Sequence, residues 1–432
     1  MEVSQYTDEK TIIQVVKIVD VSMRFTKIFS NYADMPKDIK YLIIASIMPA
    51  VAYGLIFTDV IYFLSVVQEV PADFSGIVFS SMGISAFVAS LFLGIVADVY
   101  GRKKLLIVGN VLASLILISF AITTNPVLLL GAAILEGISE GAVLTSSSAL
   151  IADKVNAEKR TSAFSLYGFV QGIAFGIGSF AVPAVLIIEL FGFANRESHI
   201  ILYVSISVLS LISTMIMLKV NESNRLKKNV KSYADLLPKK SRNVLLKYVL
   251  TGALIAFGAG MVVPLMTYWF NLRYGISDAI SAPILGVSSL LIALAILVAP
   301  LLAKRYGLVK AIVGTQIAST VFMFATPLSP NYALAGTVYN IRALLMNMDS
   351  PLSQSMIMGL VAEDERGVAS GISGALWRLP NALSTVIGAW LMGMGFLTEP
   401  FFAAGIFYII SIVLFWYYFR KVKMPEEQNS SS

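Results

Sequence analysis

Residues 94–104 read Gly94-Ile-Val-Ala-Asp98-Val-Tyr-Gly101-Arg102-Lys103-Lys104, a short basic segment between two apolar runs. An altered copy lies further along the chain and reads Pro300-Leu-Leu-Ala-Lys304-Arg305-Tyr306-Gly307-Leu-Val-Lys310. The copies start 206 residues apart (300 − 94 = 206), which is close to half of the 432 residues. This spacing predicts two related halves joined in tandem.

The composition predicts a protein that lies in lipid. Hydrophobic residues make up 57% of the chain and charged residues 13%, and the mean hydropathy is +0.79. A helix of about 20 apolar residues spans the hydrocarbon core, and runs of that kind recur along the chain. We predict an all-α integral membrane protein in which two parallel six-helix repeats supply twelve transmembrane helices. The predicted helices are 41–67, 75–97, 105–123, 127–150, 162–189, 199–218, 245–270, 280–303, 309–327, 332–360, 367–394 and 399–419.

Three polar segments flank or separate these runs. Residues 1–40 precede the first helix and contain a basic amphipathic pattern, which favours an interfacial helix but also fits a partner-binding or loosely ordered tail. The predicted bundles are 41–220 and 245–420, and the polar stretch 221–244 between them is the predicted linker. Residues 421–432 form a polar tail.

The basic residues predict the orientation. Nearly all of the 32 lysines and arginines fall in segments that share one side, whereas the predicted outer loops hold only Arg196 and Arg273. We therefore expect a multi-pass protein of the cell membrane with both termini cytoplasmic. The net charge of +6 then faces anionic lipid headgroups rather than a nucleic acid. We expect the chain to function as a monomer.

The repeat has a second echo, since Ala157-Glu158-Lys159-Arg160 matches Glu363-Asp364-Glu365-Arg366 at the same offset. At this point the chain resembles the major facilitator superfamily. That family's signature between the second and third helices is matched here by Gly94, Asp98, Gly101, Arg102 and Lys103. The sequence departs from the signature at Val99, where the family often has Arg. The resemblance implies a secondary transporter whose helices one, four, seven and ten line a central cavity.

The signature also has a physical interpretation. Two glycines permit a tight turn and close helix approach, and a carboxylate can contact a helix N-terminus in the other half. The resemblance implies an inner-side latch used in alternating access, or, as an alternative, a motif that only orders a surface loop. The predicted latch residues are Gly94, Asp98, Gly101, Arg102, Asp153 and Arg160.

Two further family patterns are incomplete. The fourth helix has Ala133 where many members have an Arg, followed by Glu136-Gly137. The fifth helix carries glycines that resemble those of antiporters, but Ile177 stands where a proline is expected. Small residues four apart can equally serve plain helix packing. These glycines are Gly168, Gly172, Gly176 and Gly178.

Ionisable side chains inside the membrane are costly and mark functional sites. Glu136 and Glu140 lie four residues apart, so both carboxylates share one helix face. Two such groups cannot both ionise easily, which suits a proton-coupling site, and Asp59 in the first helix is a third candidate. The alternative is a structural salt bridge, for which Arg342 is the obvious partner because it occupies the position matched to Glu136 (342 − 136 = 206).

Two predicted buried arginines, Arg342 and Arg378, suggest that the substrate carries an anionic group, because guanidinium matches carboxylate and phosphate. Internal ion pairs are the alternative. Asp349 shares a helix face with Arg342. Tyr62 and Tyr268 are matched by the repeat and could form an aromatic wall, although an interfacial belt would explain them equally.

Two short motifs resemble those of enzymes, but neither lies in the structural context that catalysis requires. Gly137-Ile-Ser139-Glu-Gly141 and Gly371-Ile-Ser373-Gly374 look like serine-nucleophile patterns, but Ser139 falls inside a helix, and the single histidine, His199, is predicted at an outer helix end. The chain lacks cysteine and a phosphate-binding loop. We expect no enzymatic activity, no cofactor and no metal.

Together these features predict a secondary active transporter that moves a small organic solute, anionic by preference, by alternating access with proton coupling. A proton-coupled efflux antiporter for amphipathic compounds is the main alternative. A membrane receptor that keeps the fold without transporting is a third. The sequence leaves the direction of transport open.

Overall fold

The computed structural model describes residues 35–221, 240–362 and 366–421, and the regular structure within these ranges is helical. The predicted N-terminal amphipathic helix lies outside the described residues. So do most of the predicted linker and the tail from residue 422 onwards. Side chains are described at most, but not all, of the helical positions.

Twelve helical segments, α1 to α12, follow one another within the described ranges. Their bounds are Lys37–Val67 (α1), Ala72–Tyr100 (α2), Arg102–Ile122 (α3), Pro126–Lys154 (α4), Ala157–Ala181 continued by Ala184–Glu189 (α5), Asn195–Lys219 (α6), Arg242–Tyr274 (α7), Asp278–Tyr306 (α8), Leu308–Ala325 (α9), Tyr332–Asn347 continued by Asp349–Leu360 (α10), Arg366–Gly393 (α11) and Glu399–Phe419 (α12). Nine of these described segments are long and apolar enough to cross a membrane, which confirms the predicted membrane class. For α8, α10 and α11 membrane crossing stays a prediction.

The tandem repeat is visible in the helix bounds. The starts of α2 and α8, of α3 and α9, and of α4 and α10 fall at residues 72 and 278, 102 and 308, and 126 and 332, each pair 206 apart. Gly101 and Gly307 occupy the matched turns with φ of 105° and 82°, a backbone conformation that favours glycine. In each copy the glycine N–H donates to the backbone carbonyl oxygen of the alanine four residues earlier, at an N···O distance of 3.0 Å for Gly101 and 2.9 Å for Gly307.

The two ends of the bundle differ in packing. We call the end that carries residues 102–104 and 304–310 the basic end and the opposite one the far end. The largest hydrophobic cluster joins both halves and includes Ile56 and Val60 of α1 and Leu265 and Phe270 of α7. At the basic end the clusters of described residues belong to one half each. Among the described side chains, the halves are therefore packed together mainly towards the far end.

Small residues permit the close contact between α2 and α11. A Cβ on Gly76 would lie 2.6 Å from the Cβ of Ala389, and one on Gly83 would lie 2.8 Å from that of Ala382. Such distances are shorter than packed carbon atoms tolerate, so these positions require glycine. This seam places Arg378, which lies on α11, against the N-terminal half.

Candidate functional site

Two cavities contain predicted site residues. The larger lies between the halves and has a volume of about 720 Å³. Its walls come mainly from α7, α8, α10 and α11, and α1 and α5 close the side towards the N-terminal half. Arg342 and Asp349, predicted from the sequence to bind substrate, both line it. Aromatic side chains that the sequence did not single out also line it, among them Phe57, Phe175 and Trp377.

Arg342 is a buried cation on the wall of this cavity. Its side chain is held by α12, because one terminal nitrogen donates to the hydroxyl of Tyr408. The guanidinium also lies 5.6 Å from the ring centre of Tyr408 and 5.8 Å from that of Tyr339, which are cation–π distances. Its Nε has no hydrogen-bond partner among the described residues. No described carboxylate forms an ion pair with it, so the predicted pairing of Glu136 with Arg342 is wrong.

The repeat explains this error. Matched positions in two tandem halves are related by the symmetry of the repeat, and symmetry-related side chains meet only when they lie on the axis between the halves. Arg342 and Glu136 instead line different cavities.

Asp349 lies where α10 is interrupted at Met348. Gln316 of α9 donates to one of its carboxylate oxygens at 2.6 Å, and the hydroxyl of Ser353 donates to the other. These neutral donors stabilise a carboxylate without cancelling its charge. The larger cavity therefore presents a guanidinium group and a hydrogen-bonded carboxyl group on one wall.

The smaller cavity, of about 460 Å³, contains the predicted proton-coupling pair. Glu136 and Glu140 both line it, as their four-residue spacing predicts, and Arg378 of α11 reaches the same wall. Glu140 forms an ion pair with Arg378, so the contact joins α4 of one half to α11 of the other. Glu136 is only 3% exposed, and its Oε2 has no described hydrogen-bond partner. Phe175 lines both cavities, which are therefore neighbours.

Three predicted site residues lie elsewhere. Asp59, Tyr62 and Tyr268 are buried, and none of them lines either cavity. Asp59 instead accepts a hydrogen bond of 3.0 Å from Tyr203 of α6. The family resemblance implied that Asp59 lines the central cavity, and this prediction is wrong.

The predicted latch residues cluster at the basic end. Arg102, the first residue of α3, forms an ion pair with Asp153 near the end of α4, and Gly101 makes the turn before it. Gly94 and Asp98 fall in the last part of α2 and Arg160 in the first turns of α5. The side chains of Asp98 and Arg160 lie outside the described part of the structure.

The serine-nucleophile motif has an ordinary helical environment. Ser139 lies inside α4, and its hydroxyl donates to the carbonyl of Leu135 at 2.8 Å. His199 contacts Asn195 and Asp278 instead of a serine. The strand–turn–helix that such a motif requires is therefore not the setting of Ser139.

Two six-helix halves that enclose cavities lined by buried ionisable side chains define a helical membrane transporter. The chain belongs to the Major Facilitator Superfamily, whose family profile matches residues 41–348 and 249–432. This family membership confirms the resemblance read from the signature at residues 94–104.

Similar proteins include transporters of several kinds. An uncharacterised MFS-type transporter of Bacillus subtilis (strain 168) is 23% identical over 363 residues, which cover 79% of this chain and 85% of that protein. Multidrug resistance protein 2 of the same organism is 20% identical over 347 residues, covering 78% and 84%. Among solved structures, the nucleoside transporter NupG has a TM-score of 0.69 at 17% identity, covering 90% of this chain and all of that one. An inward-facing, occupied bacterial homologue of the human lysosomal transporter Spinster has a TM-score of 0.70 at 12% identity, covering 89% and 96%.

Proposed function

We propose that this transporter carries a small organic anion and couples its movement to protons. Arg342 is the observation that carries the proposal. A buried guanidinium without a carboxylate partner costs several kcal/mol unless a counter-charge reaches it. The cavity beside Arg342 is large enough for a small organic solute. An anionic group bound there would supply the counter-charge and use the planar donor fork.

The proton sites are Glu136 and Glu140. Protonation of Glu140 would remove the negative charge that holds Arg378, and the contact between α4 and α11 would weaken. Glu136 lies one helical turn away on the same cavity, so a proton can be held next to the ion pair. Proton binding would thereby bias the relative position of the two halves, which alternating access requires.

The packing supports an arrangement in which the far end is closed. The shared hydrophobic cluster lies towards that end, and the described clusters at the basic end are separate. We place the basic end and both termini in the cytoplasm of a cell because lysine and arginine are concentrated there. Since both cavities form within one chain, we propose that a monomer suffices.

A second candidate function is the export of amphipathic compounds in exchange for protons. It is favoured by the aromatic side chains Phe57, Phe175 and Trp377 on the larger cavity. The similarity to a multidrug resistance protein also supports it. In this alternative Asp349 and Glu136, rather than Arg342, would attract a cationic substrate.

Flux measurements in proteoliposomes separate these functions. Purified full-length chain would be tested with panels of radiolabelled monocarboxylates, dicarboxylates, organic phosphates and lipophilic cations, with and without an imposed pH gradient. We expect transport of at least one anion, faster with the gradient and lost in Arg342→Gln. Transport restricted to cations would overturn the anion proposal and favour the drug antiporter.

Proton coupling has its own test in the same vesicles. Glu136→Gln and Glu140→Gln should abolish the response to the pH gradient, whereas Glu69→Gln, at an exposed position, should keep it. Flux that ignores the gradient in the wild type, or that responds equally in all three variants, would contradict the proposed proton sites. Binding of substrate without any flux would instead indicate a receptor.

A further inference from the structure

Three ligand-type side chains from distant parts of the chain meet at the far end. Asp59 of α1 and His199 of α6 belong to the N-terminal half, and Asp278 is the first residue of α8 in the C-terminal half. One ligand atom from each lies within 4.8 Å of the other two. All three are at most 1% exposed. The cluster therefore bridges the two halves where the bundle is closed.

The hydrogen bonds of His199 require a proton or a metal ion between His199 and Asp278. Its Nδ1 lies 2.8 Å from the carbonyl oxygen of Asn195, which can only accept, so Nδ1 carries the hydrogen. In a neutral imidazole the lone pair of Nε2 then points at Oδ2 of Asp278, 2.7 Å away. Two lone pairs at that distance repel each other, so either a proton or a metal ion lies between them.

The charge balance favours a divalent ion over a single proton. Two carboxylates and a neutral imidazole carry a charge of −2, and no lysine or arginine among the described residues forms an ion pair with any of them. One proton would leave a net charge of −1 in a fully buried site, which is costly. One divalent cation neutralises the cluster completely. Two protons would also do so, but only a metal ion can contact a ligand atom of all three residues at once.

The ligands and their support fit a zinc-type ion. Imidazole nitrogen and carboxylate oxygen are zinc ligands at about 2.0–2.2 Å. A ligating histidine commonly donates its other ring N–H to a backbone carbonyl, as His199 does to Asn195. Among the described residues no donor reaches Oδ1 of Asp59, which leaves a buried acceptor for an ion or for a proton shared with Asp278. The ring of Phe63 stacks on His199 with a centroid distance of 5.2 Å and fixes its orientation.

We propose that Asp59, His199 and Asp278 bind one divalent cation, of which zinc is the best match, and that the ion clamps the two halves together at the far end. The clamp would form only when α8 lies against α1 and α6. Zinc would therefore stabilise the state described here and oppose opening of the far end. Proton binding by Asp59, as the sequence suggested, is the rival occupant.

The composition of the chain allows a zinc-binding signal to be assigned to one residue. The chain has one histidine and no cysteine, so after removal of any affinity tag an imidazole ligand of zinc can only be His199. Full-length protein would be titrated with zinc chloride by calorimetry, and the zinc complex examined by X-ray absorption. We expect one zinc per chain, with one nitrogen ligand and the remaining ligands oxygen. A spectrum without an imidazole ligand would overturn the proposal.

Variants test the other two ligands. Asp59→Asn and Asp278→Asn should each weaken zinc binding by about tenfold or more, and the exposed Asp73→Asn should leave it unchanged. Zinc should raise the Tm of the wild type and of Asp73→Asn only, and a chelator should reverse the shift. No zinc binding to the wild type, or a Tm that follows pH but ignores zinc, would assign the cluster to protons instead.

The clamping step is measured separately from binding. Spin labels on Val127→Cys and Leu328→Cys would report the separation of the halves at the far end, since both positions are exposed and belong to different halves. Zinc should shift the distribution of distances between the two spin labels towards shorter values and make it narrower. Asp278→Asn should abolish that effect. An unchanged distribution would overturn the clamp. None of these measurements requires a transported anion, so their failure is distinguishable from failure of the proposed function.

Discussion

The carboxylate of Glu140 in α4 forms an ion pair with the guanidinium of Arg378 in α11, 238 residues later in the chain. The pair joins the two halves, and both side chains are partly exposed, at 17% and 26%. Water in the smaller cavity can therefore reach the carboxylate. A contact that holds the halves together and is also accessible to protons is suited to couple protonation to movement.

Substitutions in the pair of Glu140 and Arg378 should separate its role in stability from its role in transport. Glu140→Gln or Arg378→Gln leaves one group without its partner, so each should lower the Tm in detergent, and the double variant should recover much of the loss because no unpaired charge is left. Flux driven by a pH gradient should fall about tenfold or more in all three. Full recovery of flux in the double variant would show that the pair serves stability alone.

Substrate binding should depend on the shape of the Arg342 side chain as well as on its charge. Arg342→Lys retains a cation but loses the planar fork, so the KM for an anionic substrate should rise about tenfold or more. Tyr408→Phe removes the hydroxyl that accepts from the guanidinium and should raise the KM by less. The exposed Tyr417→Phe is the control and should match the wild type. An unchanged KM in Arg342→Lys would exclude this arginine from the substrate site.

The sequence was sufficient for the fold because its signals are local. Apolar runs mark the helices, and the offset of 206 residues relates the two halves, as the matched glycine turns at Gly101 and Gly307 show. The shared cavity of Glu136 and Glu140 was also predictable, since a spacing of four places side chains on one helix face.

Contacts between the halves could not be predicted in the same way. The partner of Glu140 depends on how α4 docks against α11, and a single sequence has no local pattern that reports docking. The same limit hid the cluster of Asp59, His199 and Asp278, because its members come from three helices. The sequence therefore predicted no metal site, although the structure brings together side chains that can hold one.

The glycines of α5 should fall into two groups. A Cβ on Gly178 would lie 2.2 Å from the carbonyl oxygen of Val51 and 2.7 Å from the backbone nitrogen of Leu55, whereas one on Gly168 would meet no atom within 4 Å. Gly178→Ala should therefore lose about 1–3 kcal/mol of stability through overpacking, seen as a lower Tm and a lower yield of folded protein. Gly168→Ala should match the wild type. Equal losses would indicate that these glycines act through helix flexibility instead of packing.

The ion pair between Arg102 and Asp153 allows the latch to be tested against its matched copy. It ties the start of α3 to the end of α4 next to the turn at Gly101. If this segment takes part in switching, Asp153→Asn and Asp98→Asn should lower the maximal transport rate several-fold and leave the KM almost unchanged, because the substrate cavity is untouched. Lys304→Gln changes the position that replaces Asp98 in the second half, and it should have little effect. Similar losses in all three variants would mean that the segment only orders the turns, since the second copy keeps the turn glycine but has no carboxylate at that position.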